Sequence, residues 1–162
     1  VTKKIHKTNA MRQLDRAKVE YSMTTYETDG GIDALHVAES LGEAPERIFK
    51  TLVLESSDKQ HFVAVIGADH ELDLKKVAAH FGVKNVKLFD WRQLKELTGY
   101  VRGGCSPVGM KRALPTVIDA SAAEMPEMYV SAGEIGTQIV LAPQDLAAVA
   151  DAEFADVQHA VR

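Results

Sequence analysis

Residues 49–67, FKTLVLESSDKQHFVAVIG, constrain the fold more than any other part of the chain. Two β-rich runs, Phe49 to Glu55 and His61 to Gly67, flank the polar stretch Ser56 to Gln60, the pattern of a β-hairpin. The second run is apolar on both faces, so it must be covered on both sides and belongs in the middle of a sheet. A second hairpin is predicted within YVSAGEIGTQIVLA, residues 129–142, where two β-rich arms flank a Gly-containing turn. Hairpins make antiparallel neighbours, which argues against a doubly wound parallel sheet and for a mixed sheet with helices packed against it.

The helices are marked by their caps. Asn9 or Thr8 opens a first helix with Ala10, Met11, Leu14 and Ala17 on one face, and the alternation Val19, Tyr21, Met23, Thr25 then predicts a strand. Asp33 caps a helix that stops at Gly42. Asp73 caps another, with Leu74, Val77, Ala78 and Phe81 inward and Gly82 beyond its end, before a short strand around Val83 to Leu88. Asp90 opens a helix with Leu94 and Leu97 inward and Gly99 as its stop, and Pro143 stands at the first position of a last helix carrying Leu146, Val149 and Ala150. A strand is expected at Thr116 to Ala120. No repeat or linker interrupts the 162 residues, which are read as a single domain over 1–162. At this length a core forms without disulfides or a structural metal.

Composition excludes several function classes. The net charge of -4 argues against a binder held by many phosphate contacts, although Lys75, Lys76, Lys84 and Lys87, and Arg102, Lys111 and Arg112, form two local basic stretches. The opening residues VTKKIHKTNAMRQL lack the apolar run of a secretory signal, and nowhere do ~20 apolar residues follow one another, so no membrane span is expected. A lone cysteine suits a reducing compartment, and a soluble cytoplasmic protein is expected. The six histidines, at 6, 36, 61, 70, 80 and 159, include no HExxH pair, and one cysteine cannot build a Cys-rich zinc site; no metal and no cofactor are expected.

Candidate chemistry lies in three places. Lys50 interrupts an apolar strand on the face of Leu52 and Leu54, opposite Phe49, Thr51 and Val53. A lysine there must find an anion, snorkel to water or shift its pKa; at a pocket mouth it would present a positive donor to a carbonyl oxygen or a phosphate. The stretch YVRGGCSPVGMKRALP holds three glycines and two prolines in 16 residues, a loop whose Gly103 and Gly104 allow close backbone approach to a ligand or simply form a turn. Cys105 within it is a candidate nucleophile without a nominated base, or a small semi-buried apolar side chain. Ser131 offers a hydroxyl at a strand end or caps a turn, and Tyr26 reaches a pocket or covers an edge.

FKTLVL at 49–54, LDLKKVAAHFG at 72–82, TGYVRGGCSPVGMKRALPTVID at 98–119 and YVSAG at 129–133 together resemble, in order, the YbaK family of aminoacyl-tRNA deacylases, whose fold also occurs as the editing domain of bacterial prolyl-tRNA synthetases. The resemblance implies an α/β (α+β) fold with a mixed, mostly antiparallel sheet curling into a partial barrel with flanking helices. It implies a hydrolase that deacylates mischarged aminoacyl-tRNA, notably Cys-tRNA(Pro) and also Cys-tRNA(Cys), by attack of the substrate's own thiol on its ester. It places the family's essential lysine at Lys50 and substrate contacts at Tyr26, Thr51, Gly103, Gly104 and Ser131. The implied partners are the acceptor end of aminoacyl-tRNA and prolyl-tRNA synthetase. Asp33 and Ala34 stand where family members often carry an aromatic residue and glycine, Glu134 and Ile135 where many carry a basic pair, and Gln138 where some carry an acid. Two alternatives accompany this reading: a non-catalytic aminoacyl-tRNA-binding module, and an editing enzyme of the same fold acting on Ala-tRNA(Pro).

Overall fold

A computed structural model describes residues 7–159, so that His6 and the first six residues of the opening segment lie outside it. Helix α1, Asn9–Arg16, is capped by Thr8, whose hydroxyl accepts the amide of Met11 at 3.2 Å and donates to the carbonyl of Ala132. Of the two cap candidates it is therefore Thr8 that acts, and it ties α1 to the second hairpin. Strand β1, Ser22–Thr25, leads to α2, Ala34–Leu41, which Asp33 caps and Gly42 ends in the left-handed conformation. The hairpin follows as β2, Phe49–Ser56, and β3, His61–Gly67. Then come α3, Leu74–Phe81, and β4, Val86–Leu88, with α4 at Leu94–Thr98. The chain finishes with β5, Thr116–Asp119; β6, Met128–Ser131; β7, Thr137–Leu141; α5, Pro143–Ala150; and β8, Ala152–Ala155.

The strands form two sheets rather than one. A three-stranded antiparallel sheet has the order β1-β7-β6, and a five-stranded mixed sheet the order β4-β2-β3-β5-β8. In the larger sheet β4, β2 and β3 pair antiparallel, while β5 runs parallel to β3 and β8 parallel to β5. The expectation of a mostly antiparallel, mixed arrangement with flanking helices is met; the expected curling of one sheet into a partial barrel is not. Among the described residues the two sheets share a single backbone bridge, Ile48 to Tyr129. The reason is local. Pro45–Arg47 form a 3-10 turn, and the amide of Ile48 donates back to the carbonyl of Pro45 at 3.1 Å, so the chain ahead of β2 cannot extend a ladder along β6.

β3 is central, as its two-faced apolarity requires: Val63, Ala64, Val65 and Ile66 are fully buried. Val63 and Val65 join the main core with Met11, Leu14, Met128, Ile139 and Leu146, while Phe62, Ala64 and Ile66 pack beneath α3. Leu74 does not turn inward; it is largely exposed at the start of α3, and Val77, Ala78 and Phe81 face the sheet, with Phe81 stacked on Phe62 at 4.4 Å between ring centroids. No described helix is long and apolar enough to cross a membrane.

Candidate active site

The cavity of interest follows from incomplete strand coverage. β4 pairs only with Leu54, Glu55 and Ser56 of β2, and the last link is the amide of Phe89 donating to Val53 at 2.9 Å. On that side the first half of β2 carries no ladder, β6 approaching it only through the Ile48–Tyr129 bridge. Phe89, Trp91 and Leu94 beyond β4, and Arg102, Gly103 and Cys105 of the loop after α4, line the space beside it. The result is a cavity of about 700 Å³, within the range of small-molecule sites. Because it runs along an open strand edge, it is lined by residues of both parities, Phe49 to Val53, so Lys50 and Thr51 meet there although their side chains start from opposite faces of β2.

Lys50 is half-buried. Its ammonium donates to the carbonyl of Ala68 at 3.4 Å and makes no ion pair among the described residues. Burial holds its pKa below the usual lysine value, opposed by the negative charges of Glu71, Asp69 and Asp33. Asp69 is engaged by His70 at 2.9 Å and Asp33 by His36, so neither carboxylate neutralises the amine directly. The Thr51 hydroxyl is buried with no hydrogen-bond partner among the described residues, and so is the side-chain oxygen of Gln138 on the same cavity wall. Buried polar atoms without partners are rare in folded proteins and point to a missing ligand or to function.

Gly103 lines the cavity with φ of +89°, and a β-carbon there would lie 2.6 Å from the Ile32 side chain. Gly104 stands one step behind. A β-carbon on it would come within 3.0 Å of the Ile135 nitrogen, so its function is to let the loop lie against the turn between β6 and β7. The Ser131 hydroxyl accepts the amide of Gly133 at 3.1 Å and sits opposite Gln138 in the ladder; it caps the turn and does not line the cavity. Tyr26 also lies behind the wall, buried with Val37, Ala38, Ile48 and Ala68 and with its hydroxyl unpartnered among the described residues. Of the six residues singled out from the sequence, Lys50, Thr51 and Gly103 thus line one cavity, and Tyr26, Gly104 and Ser131 form its backing.

Cys105 reaches the cavity wall, but burial pushes its thiol up to about 12, against a lowering hydrogen bond with Thr98, and no histidine among the described residues lines the cavity. A thiol in that state, without a base, is a poor nucleophile. Nothing in the sequence pattern singles out Trp91 or Phe89, and Gln138 stands out only as a departure from a family pattern. Asp33 and Ala34 do border the cavity, so the substituted side of α2 is a true part of its wall.

A sequence model of the aminoacyl-tRNA editing domain matches residues 31–149, which span every cavity-lining position. The chain belongs to the aminoacyl-tRNA editing family. A protein of Enterococcus faecalis that carries the name Cys-tRNA(Pro)/Cys-tRNA(Cys) deacylase EbsC is 43% identical over 152 residues, covering 93% of each chain. The multifunctional Ser/Thr-tRNA deacylase ProXp-y of Escherichia coli is 28% identical over 150 residues, covering 90% of this chain and 89% of its own. A crystal structure described as a trans-editing enzyme for prolyl tRNA synthetase superposes with a TM-score of 0.81, covering 94% of this chain and 96% of that one. At 22% identity that likeness establishes the fold alone.

Proposed function

We propose that this editing-family protein is a deacylase that removes cysteine from mischarged tRNA, above all Cys-tRNA(Pro), in the cavity beside Lys50. The observation that carries the reading is an ammonium that makes no direct ion pair among the described residues, half-buried in a cavity whose walls also hold two polar side chains without a hydrogen-bond partner among those residues. The aminoacyl ester brings what that arrangement lacks: a carbonyl oxygen for Lys50 and an α-ammonium for the acceptor oxygens of Thr51 and Gln138. Near identity in length and 43% sequence identity to the protein named as a Cys-tRNA(Pro)/Cys-tRNA(Cys) deacylase support cysteine over other amino acids.

The chemistry runs without an enzyme nucleophile. The substrate thiolate attacks its own ester carbonyl; a carbon–sulfur bond forms, the ester carbon–oxygen bond breaks, and the terminal ribose oxygen leaves and takes up a proton. The cyclised cysteine then opens in water. Holding sulfur and carbonyl in a near-attack arrangement supplies rate through proximity, and the Lys50 ammonium stabilises negative charge as it develops on the carbonyl oxygen. The protonated, base-less Cys105 supports leaving the attack to the substrate. With a net charge of -4, affinity for tRNA is weak and its selection is shared with prolyl-tRNA synthetase.

Lys50→Ala tests the reading. The variant retains its circular dichroism spectrum and loses hydrolysis of cysteinyl-tRNA(Pro) in a time course with substrate in excess. Full turnover in Lys50→Ala refutes the role given to the lysine, and binding without turnover by the wild type favours a capture module instead.

A further inference from the structure

The rim of the cavity carries a feature that the ester chemistry does not use. Trp91, the only tryptophan of the chain, is 56% exposed and yet borders the cavity together with Arg102. The Arg102 guanidinium carbon stands 5.4 Å from the centroid of the indole ring. The position of Trp91 in the chain is held by its turn. Trp91 opens a 3-10 turn that Asp90 caps by accepting the amide of Arg92 at 3.0 Å, and the turn continues directly into buried Leu94 at the head of α4. Arg92 is committed to Asp90, and Arg47 to Glu43 and Glu127, whereas Arg102 makes no ion pair among the described residues. Leu88 and Ile32, also on the rim, are 58% and 38% exposed. An indole face in solvent forgoes the free energy of its burial, and here that face comes with an adjacent cation whose charge is not neutralised.

We propose that Trp91 and Arg102 form a stacking platform for the terminal nucleobase of the RNA acceptor end, with the free edge of the Arg102 guanidinium directed to the neighbouring phosphate. The inference rests on the cavity holding the aminoacyl group. That group is attached to the terminal ribose, so once it lies beside Lys50 the base on the same ribose must lie at the rim. Charge makes the same point. A net charge of -4 argues against affinity built on many phosphate contacts. Stacking on an aromatic face is tolerant of base identity and adds affinity without a basic surface.

Because Trp91 is the sole tryptophan, its fluorescence reports the contact directly. Titration of the wild type with a short non-aminoacylated RNA ending in CCA quenches the emission. Trp91→Ala raises KM for cysteinyl-tRNA by about fivefold or more, the loss expected for one stacked base, with kcat and the melting temperature close to wild type. Trp91→Phe restores most of the affinity, and Arg102→Ala raises KM in the same direction. Absence of quenching together with an unchanged KM in Trp91→Ala overturns the platform while leaving deacylation intact. A wild type that is quenched by the RNA but hydrolyses no cysteinyl-tRNA supports the platform and sinks the reading of the cavity, so the two failures are distinct.

Discussion

Gln138 is buried to 5% exposure in the middle of the three-stranded sheet, between Thr24 on β1 and Ser131 on β6, and its side-chain oxygen meets neither solvent nor a donor among the described residues. Leaving such an acceptor unsatisfied costs about 1–3 kcal/mol, a penalty that a ligand donating to it would relieve. Gln138→Met removes the acceptor and keeps an unbranched side chain of similar length, so the entropy lost on burial is nearly the same before and after. The backbone pairing on both sides of β7 is untouched. The free protein should therefore gain about 1–2 kcal/mol, which for a chain of this size is a rise in melting temperature of roughly 2–8 °C. Catalysis moves the other way: a hydrogen bond to the charged α-ammonium contributes about 1.5–3 kcal/mol, so KM for cysteinyl-tRNA should rise roughly tenfold or more. Thermal unfolding followed by circular dichroism and a steady-state deacylation assay on the same preparations give both numbers. A melting temperature that stays level or falls means that Gln138 already has its partner in the free protein. A higher melting temperature with unchanged KM means that the orphaned oxygen is not where substrate binds.

The pH profile of deacylation tests Lys50 without removing it. The ammonium is the useful form and burial depresses its pKa, so activity should fall on the alkaline side at a pH below the ordinary lysine value of 10.5, after a rise as the substrate thiol ionises near ~8.5. Lys50→Arg, which stays charged throughout, should lose that falling limb even if turnover drops; a limb that persists in it belongs to another group. Gly104→Ala should lower the melting temperature by several degrees, because its new methyl meets the backbone at Glu134 and Ile135, which has no rotamer with which to give way. Overpacking of that kind costs about 1–3 kcal/mol, and a neutral effect would mean that the loop does not lie against the turn.

The parts of this fold that were legible in the sequence are those decided by neighbours along the chain. Asp33, Asp73 and Asp90 each accept backbone amides two or three residues ahead, and Gly42, Gly82 and Gly99 each take the left-handed conformation at a helix end. Such contacts are written into a few consecutive residues. Strand β8 was missed because AEFA, a four-residue edge strand, has no alternation of its own; it exists through parallel pairing with β5, reached by a tight left-handed turn at Asp151. The division into two sheets was equally invisible, since it depends on β1 finding β7 across more than a hundred residues and on a 3-10 turn at Pro45–Arg47 that stops β2 from joining β6.

The site divides along the same line. Lys50 could be singled out because a charge inside an apolar strand contradicts its surroundings, and contradiction is visible locally. Trp91 and Arg102 look ordinary one at a time and acquire meaning only when the loop after α4 sets the guanidinium over the indole. Gln138 is the intermediate case: a polar residue in a strand can face solvent or core, and only the placement of β7 between two partners leaves its oxygen without one. Pocket chemistry that depends on an unmet hydrogen bond is therefore the last to be legible, because on the reading proposed above the missing partner is not encoded in the chain but belongs to the substrate.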